Sequence, residues 1–229
     1  SKHMKTLLRF LLCFIIAASF SATADARSNI TGYVYNDANK NSRFDQNENG
    51  IAGVAVSNGV DVVLTDGDGK YTLPISNGQI IFVIKPAGYN VPLNEHNQPQ
   101  FFYIHKPNGS PKLRYKGSDP TGPLPASLDF ALREAKEEKD FTALVFGDPQ
   151  PYTIEEVNYF ARGIVAEVKG IKNVAFGISL GDIVGDDLDL FPPYIKAVGQ
   201  VGIPWYNVLG NHDLNFDAKT DELANSTFE

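Results

Sequence analysis

The chain has 229 residues, of which 43% are hydrophobic and 21% charged, so it can form one large or two modest domains with a packed core. Its formal net charge of −7 argues against binding to a nucleic-acid backbone, because that binding depends on clustered Lys and Arg side chains. The acidic balance does not exclude a phosphate substrate, since bound divalent metals can invert the local electrostatic field.

The amino terminus has the pattern of a secretory signal peptide over residues 1–26. Lys5 and Arg9 supply positive charge, and Phe10–Phe20 form an apolar stretch that is short for a membrane span. Two triplets with small outer residues, Ala22-Thr23-Ala24 and Ala24-Asp25-Ala26, are candidate cleavage sites. A single membrane anchor is the alternative interpretation of the same stretch.

Two further residues bear on this leader. Met4 is the expected start, so Ser1–His3 are either an expression remnant or an upstream start. Cys13 is the only cysteine and lies within the apolar stretch, so we expect the mature protein to contain no disulfide.

Residues 28–133 predict an all-β sandwich of the Ig or prealbumin-like kind. Short β-rich runs alternate there with Gly, Asn and Asp turn signals. The predicted strands are Ile30–Tyr35, Val54–Ser57, Val60–Thr65, Tyr71–Pro74, Ile80–Lys85 and Ser127–Leu132. The charged residues 134–140 are interpreted as a linker to a second domain.

From Phe141 onward, apolar strands alternate with helical periodicity. The predicted strands are Phe141–Phe146, Val174–Leu180 and Ile203–Leu209. Thr153 and Glu156 form a capping box that predicts a helix start, and Pro192 favours a second one. The apolar face of the first helix is expected to comprise Val157, Phe160, Ala161, Ile164, Val165 and Val168. This alternation predicts a parallel sheet.

Polar motifs follow each of these three strands. Asp148 and Gln150 follow the first, Asp182 the second, and Asn211-His212-Asp213 the third. Ligands of open α/β sheets bind at the carboxyl ends of the strands. Oxygen ligands gathered there beside a histidine indicate metal-assisted chemistry on an oxyanion. The acidic residues that follow Asp182, namely Asp186, Asp187 and Asp189, are interpreted as a solvated loop.

The segments Gly147–Gln150, Gly181-Asp182 and Gly210–Asp213 together resemble the calcineurin-like metallophosphoesterase family, in its D-P-Q branch. The resemblance covers roughly residues 139–229. It implies that residues 141–229 form the first half of a four-layer α/β sandwich. Gln150 stands where most of the family has a histidine.

The resemblance also implies a role for each matched residue. Asp148 and Gln150 would bind one divalent metal, Asp182 would bridge two metals, and Asn211 would bind the second. His212 would protonate the leaving oxygen, and Asp213 would orient its imidazole. The metals would be Mn, Mg, Fe or Zn, and the attacking group a metal-bound hydroxide. The family's later histidine motifs would follow Glu229, so we expect this incomplete chain to be inactive or weakly active alone.

A second motif matches a twelve-residue calcium loop. Its candidate ligands are Asp37, Asn39, Asn41, Arg43 (through its carbonyl), Asp45 and Glu48. Ser42 stands where such loops usually have glycine. The flanking residues resemble the B-type repeats of bacterial surface adhesins and carboxypeptidase-regulatory-like β-domains, which implies a structural Ca²⁺. An Asn- and Asp-rich turn without an ion is the alternative.

The sequence therefore predicts an exported bacterial phosphoesterase, periplasmic or extracellular, that hydrolyses a phosphate mono- or diester. We expect a phosphorylated substrate and no membrane span after signal cleavage. The alternative is a calcium-stabilised surface or adhesion module with a vestigial phosphoesterase segment.

Gln150 provides a first test of the predicted metal site. We expect Gln150→His to raise affinity for Zn²⁺ or Fe²⁺ relative to Mg²⁺, because imidazole is a softer ligand than an amide oxygen. Metal titration of the two proteins measures this. Unchanged affinity and preference would remove Gln150 from the set of metal ligands.

Overall fold

The computed structural model describes residues 28–137 and 139–229. The predicted signal peptide, residues 1–26, lies outside the described residues.

The first part of the described chain consists of two four-stranded sheets, ordered β4-β1-β8-β6 and β3-β2-β5-β7. Their strands are β1 Ser28–Asn36, β2 Ala55–Ser57, β3 Val62–Leu64, β4 Lys70–Ile75, β5 Ile80–Val83, β6 Tyr89–Asn90, β7 Phe102–Ile104 and β8 Phe130–Glu134. Pairing is antiparallel except between β1 and β8. A β-rich amino-terminal part is what the sequence predicts.

Alternating side chains build the core of this part. In β4 the buried positions are Tyr71, Leu73 and Ile75, and the residues between them are more exposed, as expected for a strand with one face packed. They join Val34, Val56, Ile81 and Leu132 from both sheets in one apolar cluster. The strand bounds differ from the predicted ones at several ends, and β6 and β7 were not predicted. β8 also ends at Glu134 rather than at the predicted Leu132, because Glu134 pairs with Tyr89.

The second part contains a three-stranded sheet, ordered β11-β10-β9, with β9 Ala143–Gly147, β10 Phe176–Leu180 and β11 Trp205–Val208. All three strands are parallel, as the alternation of strands and helices predicts. The helices are α1 Ile154–Phe160, α2 Ala166–Val168, α3 Phe191–Val198 and α4 Asp221–Ala224. The capping box of Thr153 and Glu156 is formed at the start of α1.

One predicted core residue of this part is exposed. Val157 and Val165 are buried, whereas the side chain of Ile164 faces solvent. Between α1 and α2 the chain forms a π-helical turn, Ala161–Val165. Its wider hydrogen-bond spacing shifts the helical register, so the prediction based on uniform α-helical spacing is wrong for Ile164.

A polar group lies inside the core beneath the sheet. The Ser179 hydroxyl is 2.8 Å from the Tyr194 hydroxyl and accepts a hydrogen bond of 2.9 Å from Trp205 Nε1. All three residues are fully buried. Gly177 is required here, because a Cβ would lie 2.1 Å from the Trp205 ring. Trp205 is thus a core residue of this part of the chain.

The opposite face of the parallel sheet is uncovered. Val145, Leu180 and Val208 alternate with the residues that pack on the helices, and each is about half exposed.

The two parts contact each other through the segment after β6. Asn97 accepts a hydrogen bond from Trp205 N at 2.9 Å and donates one from Nδ2 to the Gly199 carbonyl at 2.8 Å. Tyr115 belongs to the apolar cluster formed with α1 and α3. In the residues that the structure describes, no helix has the length and apolar character that a membrane crossing requires.

Candidate active site

Parallel pairing brings the three predicted motifs to one edge of the sheet. Leu180 at the end of β10 pairs with Gly147 at the end of β9 and with Val208 at the end of β11. The residues that follow these strands therefore start side by side. Asp148, Asp182 and Asn211 all lie within three residues of those strand ends.

The backbone at this edge adopts a conformation that side-chain-bearing residues rarely take. Asp148, Gln150, Asp182 and Asp186 have φ angles of 53°, 41°, 44° and 68°. Each such residue costs about 1–3 kcal/mol, and this kind of strain concentrates at functional sites. Gln150 N donates a hydrogen bond to the Asp182 carbonyl at 2.9 Å, and this bond joins the loop after β9 to the loop after β10.

Gly210 allows the loop after β10 and the loop after β11 to approach each other closely. A Cβ on Gly210 would lie 2.0 Å from the backbone nitrogen of Asp182 and 2.2 Å from its Oδ1. Gly181, with a φ of 73°, approaches Gly210 from the other side. His212 N then donates to Asp182 Oδ1 at 3.1 Å, so this carboxylate is oriented by the third loop.

Asp213 holds these loops together and does not contact the imidazole. Its carboxylate is fully buried and accepts hydrogen bonds from Ile183 N at 3.0 Å, Val184 N at 2.9 Å and Gly210 N at 2.8 Å. The prediction that Asp213 orients the His212 ring is therefore wrong in this structure, because both carboxylate oxygens are engaged by backbone amides.

Asp186 makes the contact that was expected of Asp213. Its Oδ1 lies 2.8 Å from His212 Nδ1, with side-chain exposures of 51% and 30% for Asp186 and His212. This hydrogen bond, followed by the charges of Asp186, Asp182 and Asp148, raises the pKa of His212, although burial acts in the opposite direction. The sequence interpretation placed Asp186 in a solvated loop. In the sequence, the only indication that Asp186 could contact His212 was its position four residues after Asp182.

The candidate metal ligands at this edge are all oxygen donors, which suit hard divalent cations. In the described part of the chain, no three His, Cys, Asp or Glu side chains form a group that could hold a metal ion. The predicted ligands are two carboxylates and two amides, Asp148, Asp182, Gln150 and Asn211. Such an all-oxygen set fits Mg²⁺ or Mn²⁺, since Mg²⁺ commonly keeps several waters and few protein ligands.

The predicted calcium loop is closed by its own side chains. Asp45 Oδ2 accepts from the amide nitrogens of Asn39 and Asn41, both at 2.8 Å. Glu48 accepts from Ala38 N at 3.0 Å and Asp45 N at 3.1 Å. These contacts bring together the residues at positions 3, 5, 9 and 12 of the motif.

Two features of this loop differ from a simple calcium loop. Ser42 adopts a φ of 57°, the left-handed conformation for which glycine is usual. Asp37 is buried, and its Oδ2 accepts a hydrogen bond of 2.9 Å from Arg133 Nε. The arginine therefore neutralises one of the candidate ligands. Arg43 contributes its backbone N–H to Asn41 Oδ1 at 2.7 Å.

Comparison with protein families gives one match. Residues 38–116 match the family described as the N terminal of Calcineurin-like phosphoesterase. The matched segment covers about a third of the chain and lies in the two-sheet part, outside the strand-end motifs. It supports the calcineurin-like phosphoesterase family independently of those motifs. A comparison with curated proteins finds none that matches.

Gly210 offers a direct test of the packing at this edge. Gly210→Ala is expected to lower the free energy of unfolding by at least about 1–3 kcal/mol, because the added Cβ meets the Asp182 backbone. Gly147→Ala is the matched control at the same edge, since nothing lies within 4 Å of its Cβ. Chemical denaturation compares them, and equal stability of the two variants would contradict the close approach.

Proposed function

We propose that this protein is an exported, metal-dependent phosphoesterase that hydrolyses a phosphate mono- or diester. The observation that carries the proposal is the contact of His212 with both Asp182 and Asp186 at the ends of parallel strands, beside the strand end that carries Asp148. The family match of residues 38–116 supports it from a separate part of the chain. The parallel sheet would then be the first part of the family's four-layer domain.

His212 is suited to protonate the leaving oxygen. A carboxylate can only accept, so the contact with Asp186 places a proton on Nδ1 and leaves the other ring nitrogen for the substrate. The raised pKa of His212 increases the protonated fraction near neutral pH, which a general acid requires. Asp186 is therefore proposed as the orienting residue.

The strand-end oxygens would hold the metals. Asp148, Gln150, Asp182 and Asn211 are the proposed ligands, with Asp182 shared between two sites. Bound divalent metals supply Lewis acidity and an activated water for attack on phosphorus. The contribution of the chain is to fix these donors: Gly210 N and the amides that bind Asp213 hold the loops at their observed separation.

The roles of Asp182 and His212 predict large losses of activity. In the intact protein, Asp182→Asn and His212→Ala should each lower turnover of an aryl phosphate by orders of magnitude in Mn²⁺. Asp189→Asn, in the same acidic loop, should retain wild-type turnover. Turnover near the wild-type value in either of the first two would remove the role assigned to that residue.

The alternative function is a calcium-stabilised surface module in which the phosphoesterase segment is vestigial. The observation in its favour is the closed loop of residues 37–48, where side chains already converge around Asp45. Phosphatase activity of the intact protein in Mn²⁺ distinguishes the two functions. Calcium binding by the loop is compatible with both, and we propose it as a structural role.

Calcium binding predicts a specific gain of stability. Millimolar Ca²⁺ should raise the melting temperature of the wild-type protein, because a ligand of the folded state stabilises it by mass action. Asp45→Asn should abolish the increase, whereas Asp68→Asn in an exposed turn should not. Differential scanning calorimetry measures the shifts, and a wild-type melting temperature insensitive to Ca²⁺ would exclude a calcium site.

Export and partners are part of the same proposal. The signal-like residues 1–26 support a periplasmic or extracellular location in a bacterium. A phosphorylated small molecule is the proposed partner. The net charge of −7 opposes binding to a nucleic-acid backbone.

A further inference from the structure

Tyr152 is the one aromatic side chain that packs against His212 among residues 28–137 and 139–229. The two ring centroids are 6.4 Å apart with an interplanar angle of 75°. This edge-to-face arrangement is within the usual range for interacting aromatic rings. Tyr152 also lies two residues after Gln150, so it is attached to the same loop as two proposed metal ligands.

The position of the Tyr152 ring is set by its surroundings. A Cβ on Gly185 would lie 2.6 Å from Tyr152 Cδ1, so the ring rests directly over this glycine. Gly185 N donates to the Pro151 carbonyl at 2.9 Å, which fixes the glycine against the Tyr152 loop. Glu156 accepts from Tyr152 N at 2.5 Å. The backbone on both sides of the ring is therefore held.

The remainder of the ring is open to solvent. Tyr152 is 50% exposed, and its hydroxyl makes no hydrogen bond to any residue that the structure describes. A large, half-exposed aromatic surface beside a reactive histidine is suited to contact a ligand. Burial of that surface would be favourable, and stacking on a planar ring adds to it because offset and edge-to-face packing suit the charge distribution of aromatic rings.

We propose that Tyr152 determines specificity by stacking on a planar ring in the leaving group of the substrate. This inference rests on the proposed function, in which His212 protonates the leaving oxygen. A ring that packs against His212 lies on the leaving-group side of the site rather than on the phosphoryl side. The substrate class is a phosphate ester of a phenol or of a nucleoside, both of which present a planar ring.

Turnover by the intact protein in Mn²⁺ gives the first readout. Phenyl phosphate and a nucleoside monophosphate represent the two sources of a ring, and glycerol phosphate is the ringless comparison. Tyr152→Ala and Tyr152→Leu should each lower kcat/KM for at least one ring substrate by roughly three- to tenfold relative to glycerol phosphate. Tyr152→Phe should keep the wild-type ratio of kcat/KM for the ring substrates to kcat/KM for glycerol phosphate. Tyr159→Ala, an exposed tyrosine of α1, is the matched control and should also keep it.

Binding of phosphonates gives a second readout that needs no turnover. Calorimetry should show tighter binding of phenylphosphonate than of methylphosphonate by the wild-type protein, and equal binding of the two by Tyr152→Leu. An equal decrease in kcat/KM for ring and ringless substrates in Tyr152→Ala and Tyr152→Leu would overturn the role of Tyr152. Equal binding of phenylphosphonate and methylphosphonate by the wild-type protein would also overturn it. Absence of turnover in the wild-type protein would contradict the proposed function instead, while the phosphonate comparison still decides the role of Tyr152.

Discussion

The buried carboxylate of Asp213 is the constraint on which the arrangement of the site depends. It accepts backbone hydrogen bonds from Ile183, Val184 and Gly210, and so joins the loop after β10 to the loop after β11. Hydrogen bonds to a charged group contribute about 1.5–3 kcal/mol each. The contact of Asp182 with His212 N and the contact of Asp186 with the imidazole link the same two loops. Asp213 therefore shapes the candidate site through the backbone rather than through a contact with His212.

The location of the site was predictable from sequence, because parallel strands of similar length must deliver the residues after them to one edge. Asp148, Asp182 and Asn211 needed no further information to be placed there. The partner of His212 was not predictable in this way. Asp186 reaches the imidazole only because its backbone adopts a φ of 68° and turns the loop back, which a charged run does not reveal. Ile164 was misplaced for a related reason, since a single π-helical turn changes the register.

The two parts of the chain are physically connected through the segment between β6 and β8. Asn97 bonds to the start of β11 and to Gly199, and Tyr115 lies within the apolar cluster beneath the parallel sheet. Lys106 also forms an ion pair with Glu229. The β-rich part thus supports the strand that carries Asn211 and His212. This contact gives a physical reason for the two parts to occur together.

The proposed function depends on binding of a divalent metal by the strand-end oxygens. Anomalous diffraction from crystals of the intact protein grown with Mn²⁺, measured at the manganese absorption edge, would locate such a metal. We expect a peak within coordination distance of both Asp148 and Asp182, with Asn211 beside it. Manganese bound elsewhere, with no peak at these carboxylates, would contradict it.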